Sequence, residues 1–410
     1  MKRLLSLGLP ALALALCLAL ASCGGGDGGG AGDAQRLNAA AENFREVFDS
    51  VKETHGDYII TLTSDLLDFP GISLRTEGVN ITVRGNSSSR KITWGYADNQ
   101  PPIFIVEAGK LTLENLNLSR SAGNTRDWPL ININGGTVEM KNGVTISSNN
   151  GTDFFEGVYL NNNSTFIMSG GTFEDCRTAI GTNASGAKIT ITGGIIRNNR
   201  DCGVGIWDEA SGASLTMSGG TISGNVRRGI AVRGTGNTVT ISGGTISGHT
   251  SENPRGYAIV LQGSGNTVNM SGGELKGNFR GVDLYAESGA ASITFNMSGG
   301  SINGNINRGV NLYDNGRFIM SGGSIGGNSG WGVSMGGANT QFEKRSGGTI
   351  YGNSAGSNSN TSGAVDIWLS DNNPANTRVR GNMASSAVYA ARTNAAGTAI
   401  VAGSLVGDWE

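Results

Sequence analysis

From about Tyr58 onward, apolar and polar side chains alternate in short runs. Tyr58-Ile59-Ile60-Thr61-Leu62 comes first, followed by Val79-Asn80-Ile81-Thr82-Val83 and Leu111-Thr112-Leu113. Alternation with period two places every second side chain on one face, which is the signature of a strand. Further along, the runs become copies of one another. Phe166-Ile167-Met168-Ser169-Gly170-Gly171-Thr172-Phe173 returns as Leu215-Thr216-Met217-Ser218-Gly219-Gly220-Thr221-Ile222, then as Phe295-Asn296-Met297-Ser298-Gly299-Gly300-Ser301-Ile302 and Phe318-Ile319-Met320-Ser321-Gly322-Gly323-Ser324-Ile325. The first Gly of the pair falls at 170, 193, 219, 243, 272, 299, 322 and 347, so the gaps run from 23 to 29 residues. Self-similarity at a near-fixed period means a solenoid. A leucine-rich repeat would need its Leu and helix pattern, and a propeller blade would need roughly forty residues per repeat.

Three short strands per repeat fit one turn of a parallel β-helix, two on either side of the Gly-Gly bend and one in the G-φ-x-φ segment that follows. These repeats resemble those of pectin-lyase-like β-helix proteins over most of residues 58 to 373. The resemblance and the right-handed crossover rule imply a right-handed parallel β-helix, all-β, of about 11 to 12 coils. The alternation sets inward columns. Phe166, Ile189, Leu215, Val239, Val268, Phe295 and Phe318 should stack in one. Met168, Ile191, Met217, Ile241, Met270, Met297 and Met320 should stack in the next, as core packing and not as metal ligands. Six residues after each first Gly stand Cys176, Asn199, Asn225, His249, Asn278, Asn305, Asn328 and Asn353, an amide ladder at a bend. Arg345 is expected to interrupt the Met column.

The ends read differently. Lys2 and Arg3 precede a Leu- and Ala-rich run to Leu20, too short for a spanning helix. It closes on Leu20-Ala21-Ser22-Cys23, which resembles the lipobox of bacterial lipoproteins. The resemblance implies a signal peptide over 1–22, lipidation of Cys23, and a membrane-anchored extracytoplasmic protein, at the outer membrane or cell surface in preference to the inner membrane. A Gly-rich tether is expected over 23–35. Leu37, Ala40, Phe44, Val47, Phe48 and Val51 recur at helical spacing and predict an amphipathic capping helix over 36–54. The β-helix is expected over 55–373, and a divergent C-terminal cap over 374–410, where the period is lost after Pro374.

Composition narrows function without naming it. Gly numbers 68 and Asn makes up about a tenth of the 410 residues. Charge is low and balanced, 30 basic against 32 acidic, which excludes the basic stripe that nucleic acid needs. With 2 His and 4 Cys, no metal site and no cofactor are expected. Cys176 and Cys202 lie one coil apart, with a disulfide and two buried free thiols both open.

The G-φ-x-φ strand carries the candidate chemistry. Outward positions hold Tyr159, Asp283, Asn311 and Asp366. Just beyond the second apolar position stand Trp207, Arg233, Gln262, Tyr285, Tyr313 and Trp368. Before the Gly stand Cys202, Arg228, Arg280, Arg308 and Trp331. Flat aromatic faces beside Asp, Asn and Arg suit sugar rings, because apolar C–H faces stack and hydroxyls take planar hydrogen bonds. Polygalacturonase-like enzymes place catalytic carboxylates beside the equivalent strand. Here only Asp201-Cys202-Gly203 is similar to their signature, and pectate-lyase-like chemistry, which needs calcium carboxylates and an arginine base, points to Asp283 near Arg280, so Asp201, Asp283 and Arg280 are the catalytic candidates. The expected function is a non-catalytic adhesin or carbohydrate-binding protein, with a polysaccharide or a host or matrix protein as partner. The alternatives are a pectin-lyase-like polysaccharide lyase or glycoside hydrolase, and a structural or antigenic surface rod.

Overall fold

A computed structural model of the chain describes residues 33–351 except 96–100, 122–127, 148–155, 254, 287–288, 337–339 and 345–347, together with Asn353 and three further strands, Ile367–Leu369, Arg378–Gly381 and Ala390–Ala391. The chain winds as an all-β, right-handed parallel β-helix of about 11 coils. One sheet of 24 strands folds over the Gly-Gly bend, so each coil gives it two segments, and a second sheet of 13 strands takes the third segment of each coil.

Both expected inward columns form. Phe166 lies opposite Ile189, and the register continues through Leu215, Val239, Val268 and Phe295 to Phe318. Met168, Ile191, Met217, Ile241, Met270, Met297 and Met320 follow the same register two residues on, and all are buried. Phe295, Phe318 and Phe342 stack at 5.0 Å centroid separations, because parallel in-register strands bring identical side chains together.

The methionines also explain the glycines. Gly194 has φ +86°, and a Cβ there would lie 2.5 Å from Met168 Cε and 2.8 Å from the Gly171 carbonyl. The unbranched thioether runs under the bend and fills the space that a side chain would need. The stripe ends differently from expectation. Register places Lys344, not Arg345, opposite Met320, and Lys344 is 4% exposed. Burial pulls its amine below the usual lysine range. Arg345 itself lies outside the described residues.

The amide ladder is continuous. The backbone N–H of each rung donates to the side chain of the rung one coil on: Cys176 to Asn199 at 3.0 Å, Asn199 to Asn225 at 2.9 Å, Asn225 to His249 Nδ1 at 3.0 Å, and so on to Asn353. A second, shorter ladder, unread in the sequence, runs from the Ala213 N–H to Asn237 Oδ1 and from the Asn237 N–H to Asn266 Oδ1.

The capping helix expected over 36–54 is shorter, and the solenoid begins earlier. Gln35–Ala39 is a strand, β1. A helix, α1, covers only Phe44–Val51, and β2 is Gly56–Leu62. β1 pairs in parallel with β2, setting Leu37 against Ile60 and Ala39 against Leu62. Leu37 and Ala39 alternate with Arg36 and Asn38, and the offered edge of β2 selects that period over the helical one. α1 buries Phe44, Phe48 and Val51, and Phe44 meets Phe69 edge-on at 5.6 Å. Arg45 lies over the same Phe69 ring and donates to the Gly71 carbonyl. At the other end the ladder runs past Pro374, where a divergent cap was expected to begin. Arg378–Gly381 pairs with Gln341–Lys344, and Ala390–Ala391 pairs with Ile367 and Trp368. The signal, Cys23 and most of the tether lie outside the described residues. Among the described residues no helix is long and apolar enough to cross a membrane.

Candidate functional site

The 13-stranded sheet turns its inner positions to the core and its outer positions to three columns of unlike chemistry. The first column reads Glu156, Thr178, Cys202, Arg228, Tyr257, Arg280 and Arg308. Three residues on, the second reads Tyr159, Gly181, Gly205, Ala231, Val260, Asp283, Asn311, Ser334 and Trp368. The third follows the last inward residue of each strand. Register there aligns Asn161, Asn183, Trp207, Arg233, Gln262, Tyr285 and Tyr313 on successive coils.

Trp207 is the centre of the face. Its indole lies flat over Gly205, where a Cβ would come 2.2 Å from Cζ2, and its Nε1 would be 3.4 Å from a Cβ on Gly181. The glycines at these two outer positions are therefore a floor for the ring. Trp207 and Tyr257 pack on Cys202, Ala231 and Val260 in an apolar cluster separate from the core, on the outer side of the sheet. The Arg233 guanidinium covers the indole at 5.6 Å, and its Nε donates to Gln262 Oε1 at 3.0 Å. Its Nη1 reaches Asp208 at 3.4 Å. Beside this stack opens a cavity of about 850 Å³ lined by Glu156, Tyr159, Arg177, Asp201, Trp207 and Arg228 among others. Burial raises the pKa of the Tyr159 phenol, so it enters the cavity as a neutral donor and acceptor.

Of the sequence candidates, Trp207, Arg233, Arg228 and Asp201 converge on this cavity. Asp201 is not a free carboxylate, since its Oδ1 accepts from Arg228 Nη1 at 3.1 Å and from the Cys202 thiol at 3.4 Å. Asn183, Asp208, Arg177 and Arg227 also line it and were not singled out in the sequence. Asn183 alone had a legible signal, being in the column of Trp207.

Asp283, Asn311, Arg280 and Arg308 form a different cluster, up the sheet. They point outward as expected but are not displayed. Asp283 is 7% exposed, Arg280 6% and Asn311 0%. Arg280 Nη1 donates to Asp283 Oδ1 at 2.8 Å, Asn311 Nδ2 to the same oxygen at 2.6 Å, and Arg308 Nη1 to Asn311 Oδ1 at 2.5 Å. Aromatic rings shield the cations: Arg280 lies over Tyr257 at 5.9 Å and Arg308 over Trp331 at 4.9 Å. Burial, then the nearby Arg280 charge, lowers the Arg308 pKa. Asp283 Oδ1 is thus taken by Arg280 and Asn311, and the carboxylate serves as half of an ion pair, against its reading as a catalytic candidate. Tyr285 and Tyr313 remain the exposed part, their ring centroids 6.4 Å apart with planes tilted by 53°, and they are 43% and 40% exposed.

One placement differs from the sequence reading. Trp368 pairs with Ser334 and so shares the column of Asn311, not that of Tyr313. Asp366 lies outside the described residues. Cys176 and Cys202 are free and buried, one on the amide ladder and one on the outer face, and burial raises both thiol pKa values far above the usual range. Among the described residues no group of three or more His, Cys, Asp or Glu could hold a metal ion.

A family model described as right handed beta helix region matches residues 68–246 and 142–297. No curated protein and no solved structure matches the chain.

Proposed function

Since this chain belongs to the right handed beta helix region family, a scaffold on which function is set by the side chains of one face, we propose that it binds an extended polysaccharide along its 13-stranded sheet and does not cleave it. The observation that carries this reading is the third outer column. Trp207, Arg233, Gln262, Tyr285 and Tyr313 stand on successive coils in one line, planar groups all, with the indole seated on a glycine floor. A pyranose chain needs such a line: apolar ring faces to stack on, and planar donors and acceptors between them for the hydroxyls.

Non-catalytic binding is favoured by how the carboxylates are used. Glycoside cleavage takes two carboxyl groups facing one bond, and here Asp201, Asp208 and Asp283 each bind an arginine of the same face. The protein is proposed to act outside the cytoplasm, tethered through lipidated Cys23, on the strength of the Leu20-Ala21-Ser22-Cys23 motif. Radiolabelled palmitate should enter the expressed protein and fail to enter Cys23→Ala.

Affinity electrophoresis through gels cast with a polysaccharide panel tests the binding reading. Retardation with intact polymer supports it, and Gly205→Val, which displaces the indole without removing it, should abolish the retardation. Shortened polymer would make the protein an enzyme, and no retardation with any polymer would leave the face without this role.

A further inference from the structure

The binding face carries many arginines, yet three of them, Arg228, Arg233 and Arg280, are already held by carboxylates within it. We infer, resting on the polysaccharide-binding reading, that the strip takes an uncharged polysaccharide, laid along the solenoid axis and long enough to reach both aromatic platforms.

The ion pairs carry the first half. Arg228 is held by Asp201 at 3.1 Å, Arg233 by Asp208 at 3.4 Å and Arg280 by Asp283 at 2.8 Å. Arg308 donates to Asn311, which in turn donates to Asp283. At Arg228, Arg233 and Arg280 an anionic sugar could take over the guanidinium only by displacing the carboxylate that already holds it. That exchange trades one ion pair for another and leaves the displaced carboxylate desolvated beside a second anion. The cavity as a whole sets Arg177, Arg227, Arg228 and Arg233 against Glu156, Asp201 and Asp208, one cation in excess. The chain itself carries a formal charge of -2, so no long-range field draws a polyanion in.

Between these pairs the face is largely uncharged. Tyr285 and Tyr313 offer π faces, and Trp207 the part of its ring beyond Arg233, and their negative quadrupole attracts C–H groups and repels carboxylate or sulfate. Gln262 and Asn183 offer amides in the same line. Neutral sugar hydroxyls match this set, and each arginine still has N–H groups for a neutral acceptor without breaking its ion pair.

Geometry carries the second half. Trp207 and Tyr313 are four coils apart in the register, roughly 19 Å along the axis at strand spacing. A mono- or disaccharide touches one platform, whereas a chain that spans the interval stacks on both and gains from the linkage.

The test uses the full chain in gels cast with neutral polymers (hydroxyethylcellulose, galactomannan, dextran) or with anionic ones (polygalacturonate, heparin). The inference expects retardation by a neutral polymer that holds from about 0.05 to 0.5 M salt, where exposed ion pairs are screened. Trp207→Ala and Tyr313→Ala should each weaken it by about tenfold, as loss of one stacking platform implies. Short oligomers of the same sugar should compete far less well than long ones. Asp208→Asn releases Arg233 at an exposed position, so it should gain salt-sensitive retardation by polygalacturonate without unfolding. Stronger retardation of the natural chain by an anionic polymer, fading with salt, would overturn the selectivity and leave the binding reading standing. Equal competition by short and long oligomers would overturn the two-platform arrangement. No retardation by any polymer would overturn both.

Discussion

His249 occupies a rung where its neighbours are asparagines, and replacing it with Asn should stabilise the protein. At Asn–Asn rungs one Oδ1 accepts two hydrogen bonds from the rung before. Asn305 Oδ1 takes both the backbone N–H and the Nδ2 of Asn278 at 3.0 Å, and Asn328 Oδ1 takes those of Asn305 at 3.0 and 2.8 Å. His249 Nδ1 lies 3.0 Å from the Asn225 N–H and 3.1 Å from the Asn225 carbonyl and can serve only one of them, accepting from the N–H in the tautomer protonated at Nε2. Asn225 Nδ2 and His249 Nε2 are then both buried without a partner. In His249→Asn the new Oδ1 would accept both Asn225 donors, and the new Nδ2 would face the Ile222 carbonyl, as Asn278 Nδ2 faces that of Ile246 at 3.2 Å. Two orphaned groups at ~1–3 kcal/mol each, less the void left by the smaller side chain, give a net gain of about 1–3 kcal/mol at pH 7.

Acid should widen that gap. Burial lowers the His249 pKa from 6.5 to about 4. The unfolded chain therefore takes up a proton below pH 6.5 that the folded chain refuses until about pH 4. The stability that neutral His249 contributes is complete above pH 6.5 and is lost as pH falls toward 4. A shift of this size is on the order of 3 kcal/mol, and the Asn variant escapes it, while His55 and every carboxylate are common to both proteins. Urea unfolding followed by far-ultraviolet circular dichroism at pH 7, 5.5 and 4 reads the difference directly. A variant less stable than the natural chain at pH 7 would refute the ladder reasoning. A gap that stays constant with pH would refute the burial of a neutral imidazole.

Gly194→Ala should destabilise by about 2–4 kcal/mol, because its φ of +86° and the Gly171 carbonyl 2.8 Å from the new Cβ leave no relaxed position; a melting temperature within a degree of the natural one would contradict this. Both described thiols should resist Ellman's reagent at pH 8 in the folded protein and react once urea unfolds it, since burial suppresses the thiolate of Cys176 and Cys202; prompt labelling of either without denaturant would show an open site. Asp283→Ala should cost about 3–5 kcal/mol by leaving Arg280 buried and unpaired, whereas the double change Asp283→Asn with Arg280→Gln should recover most of it; equal losses in the two variants would show that charge pairing is not the cause.

The repeat was legible because a solenoid is nearly one-dimensional. Each coil repeats its neighbour's environment, so local alternation and global register carry the same information. That is why Phe166 through Phe318, Met168 through Met320 and the rungs from Cys176 to Asn353 fall where the period puts them. The errors lie where the period fails to decide. Leu37 and Ala40 fit a helical spacing, and Leu37 and Ala39 fit a strand; only the edge of Gly56–Leu62 chooses between them. Lys344 and Arg345 are neighbours in sequence, and only the register with Met320 shows that Lys344 takes the core position. Trp368 was read one column away for the same reason.

Recurring spacing is enough to set the architecture, a parallel β-helix with its inward columns, its glycine bends and its amide ladder, because each of these returns with every coil. Tertiary structure alone decided the character of the outer face. Whether an outward Asp is a base or half of an ion pair depends on which side chain its neighbouring coil presents, and coil lengths vary from 23 to 29 residues, so that pairing has no period to read. Asp283 is held by Arg280 and Asn311, while Trp207 lies over Gly205 and Gly181 beneath Arg233. The difference is one of contact between coils, where outer side chains meet without repeating.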